Sequence, residues 1–170
     1  ACASTTTVRA GTWAQVADTG PSARMGHGLV YDQANQVTVM FGGLDDTARL
    51  GDTWEWDGDA WTLRANSGPP AFSGHAMAYD SRRRVTVLFG GHRHLDTWEW
   101  DGTEWSLRSM SGPPARTAHT MAYDSARGET LLFGGWSDSS FFGDTWAWDG
   151  ASWTLRASTG PTARILSAMA

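Results

Sequence analysis

Short apolar segments separated by turn residues run along the chain, and residues 20–67 show the pattern in full. An apolar segment is followed by turn residues and then by a β-branched run that ends in a Gly-Gly doublet. Further on, polar and apolar residues alternate with period two, and Asp57-Gly58 has the composition of a hairpin turn. The pattern predicts four strands, which we number in chain order: 28–31, 37–41, 53–56 and 61–64.

The same pattern occurs three times. Gly-Pro dipeptides begin successive units at Gly20, Gly68, Gly112 and Gly160, which lie 48, 44 and 48 residues apart. Each complete unit then contains a histidine, a Tyr-Asp pair, a Gly-Gly doublet, an Asp-Thr-Trp segment and a Trp-Asp-Gly-x-x-Trp segment. A period near fifty residues with this content indicates a repeat architecture.

The repeats divide the chain into six parts. Residues 1–10 are a polar tail in which 5–8 aligns with a degenerate third strand, and residues 11–19 align with the outer strand of an incomplete unit. Residues 160–170 align with the inner strand of another incomplete unit, for which a Gly-Gly segment is missing. The three complete units are residues 20–67, 68–111 and 112–159.

The order of these landmarks resembles the kelch repeat, and the resemblance covers residues 20–159. Two departures are Phe72, where the other units have arginine, and Ser167, where they have histidine. Kelch repeats form β-propellers whose four-stranded blades stack around a central channel. The resemblance therefore implies an all-β fold of three complete kelch-type blades, with the first strand of each blade innermost and partial strands at both ends.

Closure of such a propeller requires more blades than the three complete units. Three stacked blades leave two terminal faces rich in Trp, Val and Phe, and kelch propellers usually have about six or seven blades. We expect the missing blades to come from self-association or from a longer native chain, because widening the ring relieves crowding at its axis. A four-bladed ring closed within one chain, with a thin last blade, is the alternative.

Charge and composition exclude two classes of partner. The chain has 13 arginine residues, no lysine, 18 acidic residues and a net charge of −5. Because nothing forms a basic stripe, we expect neither nucleic acid nor an anionic membrane as a partner. No apolar run approaches the ~20 residues of a transmembrane helix. The eleven tryptophans supply much of the predicted core, with Trp54, Trp98 and Trp146 expected between neighbouring blades.

Cys2 is the only cysteine, so no disulfide is possible within one chain. It is either a terminal thiol or, together with Ala1, the remnant of a bacterial lipoprotein signal. We expect an extracellular or cell-surface location, with the cytoplasm left open.

Polar residues that recur in every unit are interpreted as structural. One set of aspartates follows tyrosine and another precedes glycine, and both positions suit turn formation. These aspartates are Asp32, Asp57, Asp80, Asp101, Asp124 and Asp149. The repeated His27, His75 and His119 lie at the start of the innermost strand. Hydrogen-bonded structural histidines are the preferred interpretation, and a ring of imidazoles lining a channel is the other.

Residues that differ between units are the better candidates for a binding site, because loops on a rigid scaffold carry function. By resemblance to kelch proteins, the loops after the Gly-Gly doublets share one face with the loops before the first strands. Arginine, histidine and aromatic side chains suit stacking on a sugar ring or anchoring a peptide. The candidate ligand-binding residues are Arg24, Asp45, Asp46, Arg49, Phe72, His92, Arg93, His94, Arg116, Trp136, Asp138, Phe141, Phe142 and Arg164.

These residues predict a non-catalytic kelch module that recognises protein or carbohydrate, and we expect no cofactor. One alternative is a glycan-active propeller enzyme, although no catalytic acid and nucleophile stand outside the repeat. Another alternative is a structural, self-assembling propeller fragment. His92 and His94 are candidate metal ligands with Asp96, but the repeat already explains that aspartate. Chemistry like that of the copper enzyme galactose oxidase is unsupported, because Cys2 lies outside the repeats.

Overall fold

The computed structural model describes residues 15–169, and every regular element within them is a β-strand. Three four-stranded antiparallel sheets follow one another along the chain, one for each complete unit of the sequence. Within each sheet the strands lie side by side in chain order. No helix in the described range is long and apolar enough to cross a bilayer. The protein is therefore all-β in this range, and its repeated units are blade-like sheets.

The strands have the following bounds. The first sheet contains β1 (Gly28–Asp32), β2 (Val37–Leu44), β3 (Arg49–Trp56) and β4 (Trp61–Ala65). The second contains β5 (Ala76–Asp80), β6 (Val85–Phe89), β7 (Thr97–Trp100) and β8 (Trp105–Ser109). In the third unit, β9 (Thr120–Asp124) and β10 (Glu129–Phe133) precede a small hairpin of β11 (Trp136–Ser137) and β12 (Ser140–Phe141). The third sheet is completed by β13 (Thr145–Trp148) and β14 (Trp153–Ala157).

Aspartate side chains form the two tight turns of each sheet. Asp32 Oδ1 accepts the backbone N–H groups of Ala34 and Asn35 at 2.9 and 3.1 Å between β1 and β2. Asp57 Oδ1 accepts two backbone N–H groups at 2.9 Å each between β3 and β4. The equivalent aspartates in the other sheets are Asp80, Asp101, Asp124 and Asp149. All six aspartates are turn formers, as the sequence predicts.

The Gly-Gly doublet lets the loop of the next unit approach closely. Gly42 and Gly43 have φ values of 64° and 107°, a region that favours glycine. A Cβ atom on Gly42 would lie 2.8 Å from the carbonyl oxygen of Phe72. That same oxygen accepts the N–H of Gly43 at 3.1 Å. The doublet therefore fixes the distance between one unit and the loop that begins the next.

The sheets stack face to face through two apolar clusters. We call the face of a sheet directed toward the following sheet its trailing face, and the opposite face its leading face. The first cluster joins the trailing face of sheet one to the leading face of sheet two: Val39 and Phe41, with Phe72, Met77, Leu88, Trp100 and Trp105. The second joins sheets two and three: Ala78, Val87 and Phe89, with Met121, Leu132 and Trp148.

Tryptophan N–H groups fasten each of these interfaces at two points. Trp105 Nε1 donates to Thr53 Oγ1 at 2.8 Å, and Trp100 Nε1 donates to Glu55 Oε1 at 3.3 Å. The equivalent bonds across the second interface join Trp153 to Thr97 at 2.8 Å and Trp148 to Glu99 at 3.0 Å. The same two hydrogen bonds therefore recur at equivalent positions in both apolar interfaces.

The first strands of the three sheets lie next to one another, with β1 beside β5 and β5 beside β9. A backbone ladder connects the residues just before them. Gly74 N–H donates to Gly26 at 2.8 Å, Ala118 N–H to Gly74 at 2.9 Å, and Leu166 N–H to Ala118 at 3.0 Å. Successive units are thus related by one repeated backbone contact beside their first strands, and the segment after residue 160 makes the same contact.

The partial strands predicted at the two ends are not formed in the described residues. Residues 15–19 and 160–169 contain no strand, although Gly135 N–H donates to Arg164 as Gly43 does to Phe72. A strand requires a neighbour with which to pair, and the chain contains no Gly-Gly segment after residue 160 to supply one. The predictions for Cys2, residues 5–8 and Trp13 lie outside the described residues.

The repeated tryptophans differ in depth. Trp98 and Trp146 pack beside the two clusters, as predicted, but they are only partly buried. Trp100 and Trp148, two residues further on, are each 1% exposed. In these two units the tryptophan of the Trp-Asp-Gly segment is therefore buried more deeply than the tryptophan of the Asp-Thr-Trp segment.

Candidate functional site

A pocket of about 260 Å³ lies between the second and third units, among the loops that follow their Gly-Gly doublets. Three loops contribute to it: the segment after the second Gly-Gly doublet, the segment before β9, and the hairpin of β11 and β12. Its lining residues are His92, Arg93, Ala115, Arg116, Thr117, Trp136, Ser137, Asp138 and Ser139. Five of the fourteen residues predicted from the sequence meet here: His92, Arg93, Arg116, Trp136 and Asp138.

Trp136 is held in the pocket by its backbone. Its N–H and C=O pair with Thr117 at 3.0 and 2.9 Å. In the first unit, Leu44 pairs with Met25 in the same way, both bonds being 2.9 Å. The repeat therefore supplies the backbone geometry at this position, and the third unit places an indole ring where the first has a leucine.

An exposed ion pair spans the pocket. Arg93, from the second unit, donates to Asp138 Oδ2 of the third at 3.0 to 3.1 Å. Their side chains are 74% and 55% exposed, and such pairs contribute little to stability. Both side chains are accessible to a bound molecule, and half-buried His92 lies nearby. The pocket thus combines an indole with polar groups of both charges.

Arg24 and Arg116 are structural rather than free at a binding face. Arg116 donates two bonds to Asp144 at 2.6 and 3.0 Å and one to the Gly134 carbonyl at 3.0 Å. Arg24 makes the same contacts to Asp52 in the first unit. The Arg116 side chain is fully buried, so only its neighbours shape the accessible part of the pocket.

The aspartates of these pairs are tuned by opposing effects. Burial alone would raise the pKa of Asp144, but hydrogen bonds from Arg116 and from the Trp146 indole lower that pKa below its usual value. The pKa of Asp52 is lowered in the same way by Arg24. Each unit with arginine therefore contains an Arg-Asp-Trp group that ties the loop to the third strand.

The second unit replaces this group with aromatic packing. Phe72 is fully buried, 5.7 Å from the ring of Phe41, 5.3 Å from His75 and 4.9 Å from His94. Phe72 is thus a core residue and not an accessible ligand contact. His94 is held by this stack, with Nδ1 3.7 Å from Asp96 Oδ2.

The remaining predicted residues lie apart from the pocket lining. Asp45 accepts the N–H groups of Thr47 and Ala48, and these bonds lower its pKa. Asp46 and Arg49 are exposed in the first unit. Phe141 is exposed at the hairpin, whereas the Phe142 ring lies 4.0 Å from the Arg116 guanidinium. Arg164 is exposed and donates to Thr162.

Metal coordination has no geometric basis in residues 15–169. No group of three or more His, Cys, Asp or Glu side chains in this range is close enough to hold a metal ion. His94 stacks on Phe72, whereas His92 lines the pocket. The two histidines therefore lie in different local environments.

We expect replacement of Arg116 by leucine to lower the free energy of unfolding by about 2 to 4 kcal/mol, because Asp144 would lose its buried partner. Fully buried pairs typically lose ~3 to 5 kcal/mol, and the 19% exposure of the Asp144 side chain moderates the loss. Urea denaturation measures the change. Arg93→Leu is the matched control, with an expected loss below ~1 kcal/mol because that pair is exposed. Equal losses in the two variants would contradict this assignment.

Together, the fold and this pocket define a repeat protein of blade-like sheets with an aromatic, polar cleft on its loop side. No protein-family model matches the chain, and a search of curated proteins gave no significant match.

Proposed function

We propose that the chain is a kelch-type β-propeller module that binds a saccharide without catalysis, through the pocket between His92 and Ser139. The propeller architecture is supported by the strand order of the sheets, the adjacent inner strands and the repeated backbone step. The observation that carries the binding function is the placement of Trp136 beside Arg93 and Asp138 in one cleft.

Side-chain chemistry favours a sugar ring over other ligands. An indole offers an apolar face for C–H groups, while Arg93, Asp138 and the hydroxyls of Ser137 and Ser139 offer donors and acceptors for sugar hydroxyls. The cleft is smaller than the roughly 300 to 1,000 Å³ of typical pockets for drug-sized ligands. One or two sugar units fit that scale, and a glycan ligand accords with an extracellular or cell-surface location.

The carboxylates support binding rather than hydrolysis. Glycosidases commonly use two carboxyl groups flanking the scissile bond. Asp138 is the one carboxylate among the residues that line this pocket, and it is paired with Arg93. The glycan-active enzyme is therefore the second candidate, and a peptide ligand anchored on exposed Phe141 is the third.

We expect Trp136→Ala to weaken saccharide binding at least tenfold, which corresponds to about 1.4 kcal/mol, with little change in the melting temperature. A glycan array identifies the sugar, and calorimetry measures its affinity. Leu44→Ala is the matched control, because Leu44 holds the same repeat position in the first unit, away from this pocket. Its affinity should equal that of the wild type.

Three outcomes would contradict the proposal. Binding that survives Trp136→Ala would place the ligand elsewhere. Turnover of a bound glycan would favour the enzyme. Binding of peptides alone, lost on Phe141→Ala, would favour a protein ligand.

A further inference from the structure

The ion pair that spans the pocket uses only part of its hydrogen-bonding capacity. Nε of Arg93 donates to Oδ2 of Asp138 at 3.1 Å, and Nη2 of Arg93 lies 3.0 Å from the same oxygen. Among residues 15–169, no partner is bound to Nη1 of Arg93 or to Oδ1 of Asp138. A guanidinium has several N–H donors and a carboxylate has two acceptor oxygens. The pair therefore keeps donors and an acceptor for a ligand.

The backbone fixes both halves of this pair. Asp138 begins the two-residue turn that joins β11 to β12. Arg93 has a φ of 64°, in the left-handed region that favours glycine, and the N–H of His94 closes its turn on the carbonyl of Gly91 at 3.1 Å. Non-glycine residues held in this conformation are concentrated at functional positions. This placement supports a role for Arg93 beyond that of an exposed ion pair, which contributes little to stability.

Paired charges cancel across the pocket. Arg93 is neutralised by Asp138, and buried Arg116 is neutralised by Asp144, which accepts its two bonds at 2.6 and 3.0 Å. His92 is the remaining titratable side chain in the lining. A sugar carboxylate beside Asp138 or a sugar ammonium beside Arg93 would meet a like charge, and such contacts discriminate against a ligand. The pocket therefore favours hydroxyl groups over charged groups.

Two adjacent hydroxyls of a sugar ring complement the free groups of the ion pair. One hydroxyl oxygen accepts an N–H from Nη1 of Arg93, and the neighbouring hydroxyl donates to Oδ1 of Asp138. Hydrogen bonds to ionised groups are about twice as strong as those between neutral groups. A ring that lacks either hydroxyl would leave one charged group without its partner, and a site built for a hydroxyl rejects the analogue that lacks it.

We propose that the ligand is a neutral sugar ring with two adjacent, unsubstituted hydroxyls, held between Arg93 and Asp138 with its apolar face on Trp136. This inference rests on the proposed function, since it specifies which saccharides the pocket accepts. The ligand bridges the second unit, which supplies Arg93, and the third unit, which supplies Asp138 and Trp136. Sugars with a charged substituent, and sugars in which one of the two hydroxyls is blocked or missing, bind more weakly.

A panel of simple glycosides tests this specificity. Calorimetry at pH 8, above the ordinary histidine pKa of about 6.5, measures binding of the methyl glycosides of glucose, galactose, mannose and N-acetylglucosamine to the full chain. For each glycoside that binds, the counterparts with a carboxyl or an amino group at the exocyclic carbon should bind about tenfold more weakly. Removal of either hydroxyl of one adjacent pair should also weaken binding about tenfold, and removal of any other ring hydroxyl less than about threefold. Sorbitol, a linear polyol, should not bind, because it has no ring face to pack on Trp136.

Two variants connect these hydroxyls to the ion pair. Arg93→Leu and Asp138→Ala should each weaken binding of the parent glycoside about tenfold, with little change in the melting temperature because the pair is exposed. In each variant, sensitivity to one hydroxyl of the adjacent pair should disappear, so that the parent and the corresponding deoxy glycoside bind alike. Arg127→Leu is the matched control, since exposed Arg127 pairs with Asp124 at 2.7 Å outside this pocket, and its affinity should equal that of the wild type.

The outcomes separate this inference from the proposed function. Loss of discrimination in Arg93→Leu and Asp138→Ala, with Arg127→Leu like the wild type, would support it. Absence of binding by all four glycosides would overturn both the inference and the proposed function. Binding that is lost in Trp136→Ala, but is equally strong for the charged or deoxy counterparts, would overturn the inference alone. The same would follow if Arg93→Leu and Asp138→Ala still distinguished the parent from its deoxy glycosides.

Discussion

Replacing Trp100 by alanine is expected to lower the free energy of unfolding by about 3 to 5 kcal/mol, as is typical when a large buried aromatic residue leaves a cavity. The side chain is 1% exposed, packs beside Trp105, and donates its N–H to Glu55 of the first sheet. Its removal opens the interface between sheets one and two and leaves Glu55 with one hydrogen bond fewer. Urea or guanidinium denaturation, followed by tryptophan fluorescence and circular dichroism, measures the loss.

The repeat supplies a matched control for this substitution. Trp56 occupies the same position in the first sheet, but its face has no covering sheet among the described residues and it is only partly buried. Trp56→Ala should therefore cost less than half as much when measured at a concentration where the protein is monomeric. Equal losses would show that the interface between the first two sheets is not the source of the stability.

The sequence could not predict which of the repeated tryptophans is buried more deeply. Period-two alternation places Trp98 and Trp100 on the same face of β7, and the sequence treats both as core. Their burial differs because the neighbouring sheet covers the end of the strand near Glu55 more fully than the middle. The four strands of each unit, in contrast, were predictable, because turn aspartates and glycines act locally.

The roles of Arg24 and Arg116 also differ from those expected from the sequence. Their position in loops suggested ligand contacts, yet each binds an aspartate 28 residues further along the chain. A signal for this role was present in the sequence. Both arginines occur in the 48-residue units, whereas the 44-residue unit has Phe72. An arginine that is repeated together with a longer loop is more consistent with a structural ion pair than with a ligand contact.

The sequence could predict several residues of the pocket but not that they lie together. The sequence identified His92, Arg93, Trp136 and Asp138 as residues outside the repeat, but these lie in two different units. The contact between Arg93 and Asp138 depends on how the second and third sheets pack. The sequence also missed Ser137 and Ser139, since serine in a polar loop carries no distinguishing signal.

Acidification from pH 6.5 to 5 is expected to destabilise the protein through two buried histidines. Burial lowers the pKa of His75 and of His119 to about 3 in the folded protein, compared with 6.5 for an ordinary histidine. Below pH 6.5 the unfolded chain binds protons that the folded protein excludes, so the stability present above pH 6.5 is lost as the pH falls toward 3. Each histidine contributes about 2 kcal/mol to the loss at pH 5, at 1.36 kcal/mol per pH unit, or about 4 kcal/mol together.

Stability measured by urea denaturation at several pH values between 7 and 4.5 tests this expectation. His75→Gln combined with His119→Gln should flatten the pH dependence, whatever the variants cost at neutral pH, because neither glutamine binds a proton. His27→Gln is the matched control. His27 at the same repeat position is far more exposed than His75 and His119, and only partial burial and the Arg24 charge lower its pKa, so its removal should change the slope less. The range ends at pH 4.5 so that carboxylates with lowered pKa, such as Asp144, stay ionised in the folded protein. An unchanged slope in the double variant would show that protonation of these two imidazoles does not control acid stability.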